Sequence, residues 1–146
     1  MILALDLSST STGVCFDGQT ETIAPKGGLH QRARVMRDEI RPYLVPPPDL
    51  VVIEGIGTRH VQTAIALATV HALVLDEVID WAPLLVVSPA QLKKFATGRG
   101  NANKDQMLIA GIKAGSTAET NDEMDAWWLW CPGAAFHETA WRAPWT

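Results

Sequence analysis

The sequence predicts an α/β protein built on a mixed sheet. Three observations carry this reading. Ile2-Leu3-Ala4-Leu5 is a continuous apolar run followed by a hairpin signal at Asp17-Gly18. Leu50-Val51-Val52-Ile53 and Leu84-Leu85-Val86-Val87 are two more short apolar runs. The segments between and after them carry helical periodicity.

Taken in order, Ile2–Leu5 reads as a central strand, because continuous rather than alternating hydrophobicity marks a strand covered on both faces. It runs into Asp6 and a hydroxyl-rich turn, Ser8-Ser9-Thr10-Ser11-Thr12. Gly13-Val14-Cys15-Phe16 is the next strand, and Glu21-Thr22-Ile23-Ala24 pairs back across the Asp17-Gly18 turn. Leu29, Ala33, Met36, Ile40 and Tyr43 recur at helical spacing, and Pro46-Pro47-Pro48 ends that helix. Leu50–Ile53 is a second buried strand, and it too ends in an acid, Glu54. After the loop Gly55-Ile56-Gly57 comes a helix over Val61–Ile79 that is apolar nearly all round, so burial in the core or against a partner chain is expected. Leu84–Val87 is the third buried strand. Ser88-Pro89 caps and opens a helix, with proline in its first turn. Thr97-Gly98-Arg99-Gly100-Asn101 is a basic loop, and helices follow over about 103–113 and 121–130. The tail after Pro132 is weakly patterned.

A length of 146 residues predicts one domain spanning 1–146. Hydrophobic residues make up 47% and charged residues 19%, which argues against disorder. Two cysteines, Cys15 and Cys131, are too few for a disulfide framework and lack metal-binding spacing, which fits a reducing, cytoplasmic setting. No basic-then-apolar leader opens the chain. Gln62, Thr63, Thr69, His71, Asp76 and Glu77 interrupt the most apolar stretch, so a soluble protein with no membrane partner is expected.

A net charge of −4 hides local structure. Lys93, Lys94, Arg99, Lys104 and Lys113 face Asp105 alone between Ser88 and Lys113, giving that segment +4. Arg32, Arg34, Arg37 and Arg41 form a second basic cluster. Acids concentrate elsewhere, so a polyanionic partner such as DNA is not excluded.

The placement of the acids points to chemistry. Asp6 and Glu54 each end a buried strand, where an unpaired carboxylate is expensive. Strand carboxyl ends are also where ligands collect in open α/β sheets. Asp122 and Asp125 are three apart near a helix start and share a face. Taken singly, each has a plainer reading: a solvated or Arg-paired strand end, or, for Asp122, a helix cap. Together the four would form an oxygen-rich cluster without Cys ligands, suited to Mg²⁺ or Mn²⁺. Two such ions, about 3.5–4 Å apart, activate water and steady the leaving oxygen in phosphodiester hydrolysis.

These residues resemble the RuvC family of Holliday-junction resolvases, within the RNase H-like superfamily. The matching pieces are Ile2-Leu3-Ala4-Leu5-Asp6 with its Ser/Thr turn and Gly13, Val52-Ile53-Glu54, the stretch Ser88 to Lys104, and Asn121-Asp122-Glu123-Met124-Asp125-Ala126. Their order and spacing cover most of the chain. Thr-Gly-x-Gly-x-x-x-Lys ahead of an Asp-x-x-Asp-Ala helix is the most specific part.

The resemblance implies an RNase H-like fold, with residues 1–146 as one nuclease domain. It implies that Asp6, Glu54, Asp122 and Asp125 are catalytic and hold the ions. It also places Lys93 and Lys104 near the scissile strand, where an ammonium binds phosphate and steadies developing charge. Lys94, Arg99, Arg32 and Arg34 complete the expected DNA contacts. The implied activity is paired, metal-dependent cleavage of four-way junctions by a homodimer, and the Val61–Ile79 helix offers a dimer surface.

Two features depart from the family pattern. The family carries an aromatic wedge shortly after the second acid, and Gly55-Ile56-Gly57-Thr58 has none. The chain also ends soon after the last acidic helix, without a long basic tail. Both fit a short, phage-type form acting in a bacterial cell or phage-infected host. Without a wedge, recognition by branched shape with weak sequence dependence is expected.

His60 and His71 read as packing or surface residues, and Cys15 as a small buried hydrophobe. Trp127 and Trp130 are three apart on the helix carrying Asp125 while Trp128 faces another way, and at least one pair of these reads as core packing rather than base stacking. Trp141 and Trp145 lie in the tail, either docked on the sheet or packed between subunits. Three other functions compete with a dedicated resolvase: a broader nuclease for flaps, forks and three-way junctions, a catalytically silent DNA-binding protein, and an actin-like nucleotide-binding domain. The last needs two lobes, and this length holds barely one.

Overall fold

The computed structural model describes residues 1–142, with side chains to residue 136. Five strands form one mixed sheet in the order β3-β2-β1-β4-β5: β1 Ile2–Leu7, β2 Thr12–Phe16, β3 Gln19–Ile23, β4 Leu50–Glu54 and β5 Leu84–Val87. β1 pairs antiparallel with β2 and parallel with β4, and β4 pairs parallel with β5. The expected mixed sheet is therefore present. Asp17 and Gly18 turn the β2–β3 hairpin with φ of 46° and 87°. A two-residue hairpin turn requires such values, which is why Asp-Gly marks it in the sequence.

The helices are α1 Leu29–Ile40, α2 Val61–Val78, α3 Pro89–Thr97, α4 Lys104–Lys113 and α5 Asn121–Arg142. Leu3, Leu5 and Leu7 of β1 point to the face covered by α1 and α2, where they meet Met36, Ile40, Val70 and Val74. Ile2 and Ala4 point to the other face, where α5 lays Ala126 and Leu129 against them with Val52 and Cys15. Period-two alternation within a run apolar throughout thus feeds two cores from one strand.

Three helices depart from the sequence reading. Helix α1 ends at Ile40 rather than Tyr43, and a 3-10 turn covers Arg41–Leu44. Pro42 has no N–H to donate back to Asp38, so the α-helix stops there, ahead of the three prolines. The last helix does not stop near Trp130 but passes through Pro132 to Arg142. A proline inside a helix costs about 3 kcal/mol. Gly133 is buried, and a Cβ there would stand 2.4 Å from Val52 Cγ2, so this turn of the helix lies directly on the sheet. Packing at that contact offsets the proline.

Helix α2 is the third case. Only Val70, His71, Val74 and Val78 are buried, whereas Val61 and Ile65 are 69% and 54% exposed. The core of this chain covers one stripe of an apolar helix and leaves the other bare. By length and composition α2 would also suffice to cross a membrane, which the sequence reading judged it too interrupted to do. In the fold it packs along α1.

Trp127, Trp128 and Trp130 of α5 are packing residues. Trp128 is buried, donates Nε1–H to the Met107 carbonyl at 3.0 Å and meets Trp127 edge-on at 4.9 Å. Trp127 and Trp130 are partly buried against the same core, and Trp130 lies beside Gly18 of the hairpin turn. Cys15 is fully buried, and burial pushes its thiol up to about 12 and that of Cys131 to about 11. The Trp141 side chain and Trp145 lie outside the described residues.

Candidate active site at the carboxyl end of the sheet

β1 and β4 run parallel, so Asp6 and Glu54 arrive at the same end of the sheet. Asp6 pairs with Gly13 across the β1–β2 ladder, and α5 packs against Gly13. A Cβ on Gly13 would stand 2.0 Å from the Asp122 carbonyl oxygen and 3.2 Å from Ala126 Cβ. Only glycine lets the first turn of α5 rest on the hairpin at this point. That contact carries Asp122 and Asp125 over Asp6.

Hydrogen bonds fix the same turn. Thr120 caps it, accepting the Glu123 N–H at 3.1 Å, so the cap reading of Asp122 does not hold. Glu123 is tied back by the Glu119 N–H at 2.9 Å and the Thr20 hydroxyl at 3.3 Å. The Asp122 carboxylate instead accepts the Ser11 hydroxyl at 2.6 Å.

The four carboxyl groups feel one another. Burial holds Asp6 well above the usual carboxylate range, and Asp125, Glu54 and Asp122 push it further, against the opposing pull of Lys104. Burial and then Asp125 raise Glu54 to about 7, while Lys93 pulls it down. Asp125 is raised mainly by burial, with Lys104 and Lys93 opposing. Among the described residues, no three His, Cys, Asp or Glu side chains stand close enough to enclose an ion. The carboxylates converge without forming a closed cage.

Beside them lies a cavity of about 560 Å³, lined by Glu54, Asp125, Lys93, Lys104, His71 and the loop Gly55–Thr58, among others. Lys93 projects from α3 and Lys104 opens α4, so both basic groups reach the acids from rigid elements. Ser88 caps α3 and Asn103 caps α4, each through a reciprocal bond with the glutamine three residues on. His71 is a packing residue, as expected. Its Nδ1 lies 2.8 Å from the Leu67 carbonyl and its Nε2 lies 3.2 Å from the Glu54 carbonyl, joining α2 to the end of β4.

Among known structures, RuvC of Thermus thermophilus superposes with a TM-score of 0.77 at 16% identity, covering 95% of this chain and 96% of that one. The chain has the RuvC fold. The same T. thermophilus protein in complex with a Holliday junction substrate gives a TM-score of 0.78 at 16% identity, covering 95% of both chains. A Fowlpox virus resolvase, solved with substrate Holliday junction DNA, is more distant, with a TM-score of 0.50 at 14% identity over 95% of this chain and 97% of that one. No protein-family model and no curated protein matches the sequence. The expected RNase H-like architecture is thus the one observed.

Within this RuvC fold the remaining basic residues spread more widely. Lys94 is exposed on α3 and does not line the cavity. Arg99 lines a separate groove between α3 and α4, with Ile109 and Lys113. Arg32 donates Nε–H to the Ser9 carbonyl at 2.8 Å and also bonds the Gly27 carbonyl, so it braces the loop after β1. Arg34 is exposed on α1. The sequence reading missed Ser11, although the density of hydroxyls after Asp6 was the available signal.

The raised carboxyl groups make a pH prediction. A carboxyl that is harder to ionise in the fold than in the unfolded chain stabilises the fold at low pH, and this stabilisation is lost as pH rises through the folded value. For Glu54 the window runs from the ordinary 4.5 to about 7. In chelator-containing buffer the melting temperature should fall across that window, by on the order of 5 °C. Thermal melts at stepped pH test this, and a flat profile would mean that the carboxyl groups are hydrated and apart.

Proposed function

We propose that this chain, acting as one domain over residues 1–146, is a metal-dependent endodeoxyribonuclease that resolves four-way DNA junctions by paired phosphodiester hydrolysis. The observation that carries the reading is the convergence of Asp6, Glu54, Asp122 and Asp125 at one end of a RuvC-type sheet, with Lys93 and Lys104 beside them. A silent DNA-binding protein has no use for a cluster of carboxyl groups in which Asp6, Glu54 and Asp125 are held at electrostatic cost.

The all-oxygen donor set fits Mg²⁺ or Mn²⁺, held by these four residues. The open arrangement also fits, because Mg²⁺ keeps several water or phosphate oxygens and rarely sits in an all-protein cage. Two bound ions would supply an activated water and charge stabilisation at the leaving oxygen. The chain's own part is to orient the scissile phosphate. Lys104 and Lys93 hold it against the acids, while Lys94, Arg99 and Arg34 grip flanking phosphates and fix register. Arg32, bonded to the Ser9 and Gly27 carbonyls, braces the loop instead. Gly55, Ile56 and Gly57 offer no aromatic wedge, so branched shape is read through the backbone and sequence dependence is weak.

The test is cleavage of labelled four-way, three-way, flap and linear DNA with Mg²⁺ or Mn²⁺, with the junction moved through varied sequences. Cutting of four-way junctions in symmetric pairs supports the resolvase. Equal cutting of flaps and forks would favour the broader nuclease. Such an enzyme works where branched DNA arises, in a bacterial or phage-infected cytoplasm.

Paired cuts require two sites, and a homodimer supplies them. Val61 and Ile65 on α2, Ile79 at its C-cap and Val86 on β5 are each more than half exposed, and apolar surface of this kind marks an interface. Ile65→Glu should convert a dimer to a monomer in sedimentation at micromolar concentration and uncouple the two cuts. A wild-type chain that sediments as a monomer with junction DNA present would refute the dimer.

A further inference from the structure

We infer that Ser11 is a positioning residue that fixes the Asp122 carboxylate for ion binding; the inference rests on the nuclease reading above. The Ser11 hydroxyl donates to Asp122 Oδ2 at 2.6 Å, a short bond of the charge-assisted kind. A hydroxyl has one proton, and here it is committed to that oxygen. Oδ1 has no hydrogen-bond partner among the described residues and is left to ligate. Asp122 is thereby arranged to give one oxygen to an ion instead of two.

The donor is itself held. Ser8 Oγ accepts the Ser11 N–H at 3.0 Å and donates to the Ser11 carbonyl at 2.7 Å, and the Ser8 N–H reaches the same carbonyl at 3.0 Å. From the outer side Arg32 bonds the Ser9 carbonyl at 2.8 Å. The loop between β1 and β2 is therefore a bracket, pinned at Ser8 and Ser9, that presents one hydroxyl to the first acid of α5. Nothing else among the described residues hydrogen-bonds that carboxylate. Without Ser11 it would turn freely about its last torsion, and an ion would have to order it. Losing an outer partner of a metal ligand typically weakens metal binding ten- to a hundred-fold.

The experiment is calorimetric titration of Mn²⁺ into the full chain without DNA, for wild type, Ser11→Ala and Ser11→Thr, with melting in chelator and cleavage of a four-way junction measured alongside. The expected result is Mn²⁺ binding about ten-fold weaker in Ser11→Ala, restored to within about two-fold by Ser11→Thr, with metal-free melting temperatures little changed. Wild-type Mn²⁺ affinity in Ser11→Ala, with cleavage intact, overturns the role of Ser11 and leaves the nuclease reading standing. Loss of melting temperature in Ser11→Ala without loss of affinity also overturns it and makes the bond a fastener between α5 and the hairpin. A wild-type chain that binds Mn²⁺ but cuts no branched DNA sinks the nuclease reading, and the affinity ratio still decides for Ser11. A wild-type chain that does neither sinks both.

Discussion

Asp6→Asn is expected to remove cleavage of four-way junctions while leaving junction binding near the wild-type level. Asp6 is the penultimate residue of the central strand, and burial first, then three other carboxyl groups, raise its own. The amide keeps the shape and hydrogen-bonding reach of the carboxyl but brings no negative charge. Charge stabilisation by bound ions is worth several kcal/mol, and every 1.4 kcal/mol is ten-fold, so a loss of about a thousand-fold or more is expected. Binding rests on the lysines and arginines, and removing an anion from their midst does not weaken them. The variant should also melt higher than wild type in chelator, because a buried, crowded carboxyl has been replaced by a neutral group. Single-turnover cleavage, gel-shift titration and thermal melts read the three effects separately. Near-normal cleavage with Mg²⁺ would remove Asp6 from the chemistry.

Gly13→Ala should be the most damaging of the glycine-to-alanine changes. The new carbon would stand 2.0 Å from the Asp122 carbonyl oxygen, a backbone atom that cannot rotate away. Either β2 leaves the sheet or the first turn of α5 lifts off the hairpin. The second route pulls Asp122 and Asp125 away from Asp6. Overpacking a core usually costs 1–3 kcal/mol, and a clash with rigid backbone exceeds that, so a loss of about 3 kcal/mol or more is expected. Denaturant unfolding gives the stability, and cleavage by whatever fraction stays folded gives the site. Wild-type stability together with wild-type cleavage would mean that α5 does not sit on Gly13 as described.

The strands were legible because each is a short apolar run bounded by turn chemistry. Asp6 and Glu54 were legible only together with the Asp122 and Asp125 pair, since a single acid at a strand end reads equally as a solvated or Arg-paired group. Asp122 and Asp125 were legible as a pair, but their docking was not. It depends on Gly13, which in sequence is one more glycine in a turn, and on Thr120 taking the cap that Asp122 was eligible for. The extension of α5 past Pro132 was hidden because local propensity argues against it. What decides it is the close approach of Gly133 to Val52, a contact spanning most of the chain. The bare face of α2 was also beyond periodicity, which registers an apolar helix but not how much of it the subunit covers.

The order in which these parts leave the ribosome has a consequence of its own. Asp6 is made more than a hundred residues before its partners on α5. At translation speeds of 5–20 residues per second, that interval is on the order of ten seconds. Throughout it the sheet face bearing Ile2, Ala4, Cys15 and Val52 lacks the helix that covers it, while the α1–α2 face can already close. Until α5 is made, the growing chain can close at most one of its two cores. Because the acids of α5 arrive with the helix that seals this face, the nascent chain cannot assemble its site before that second core forms.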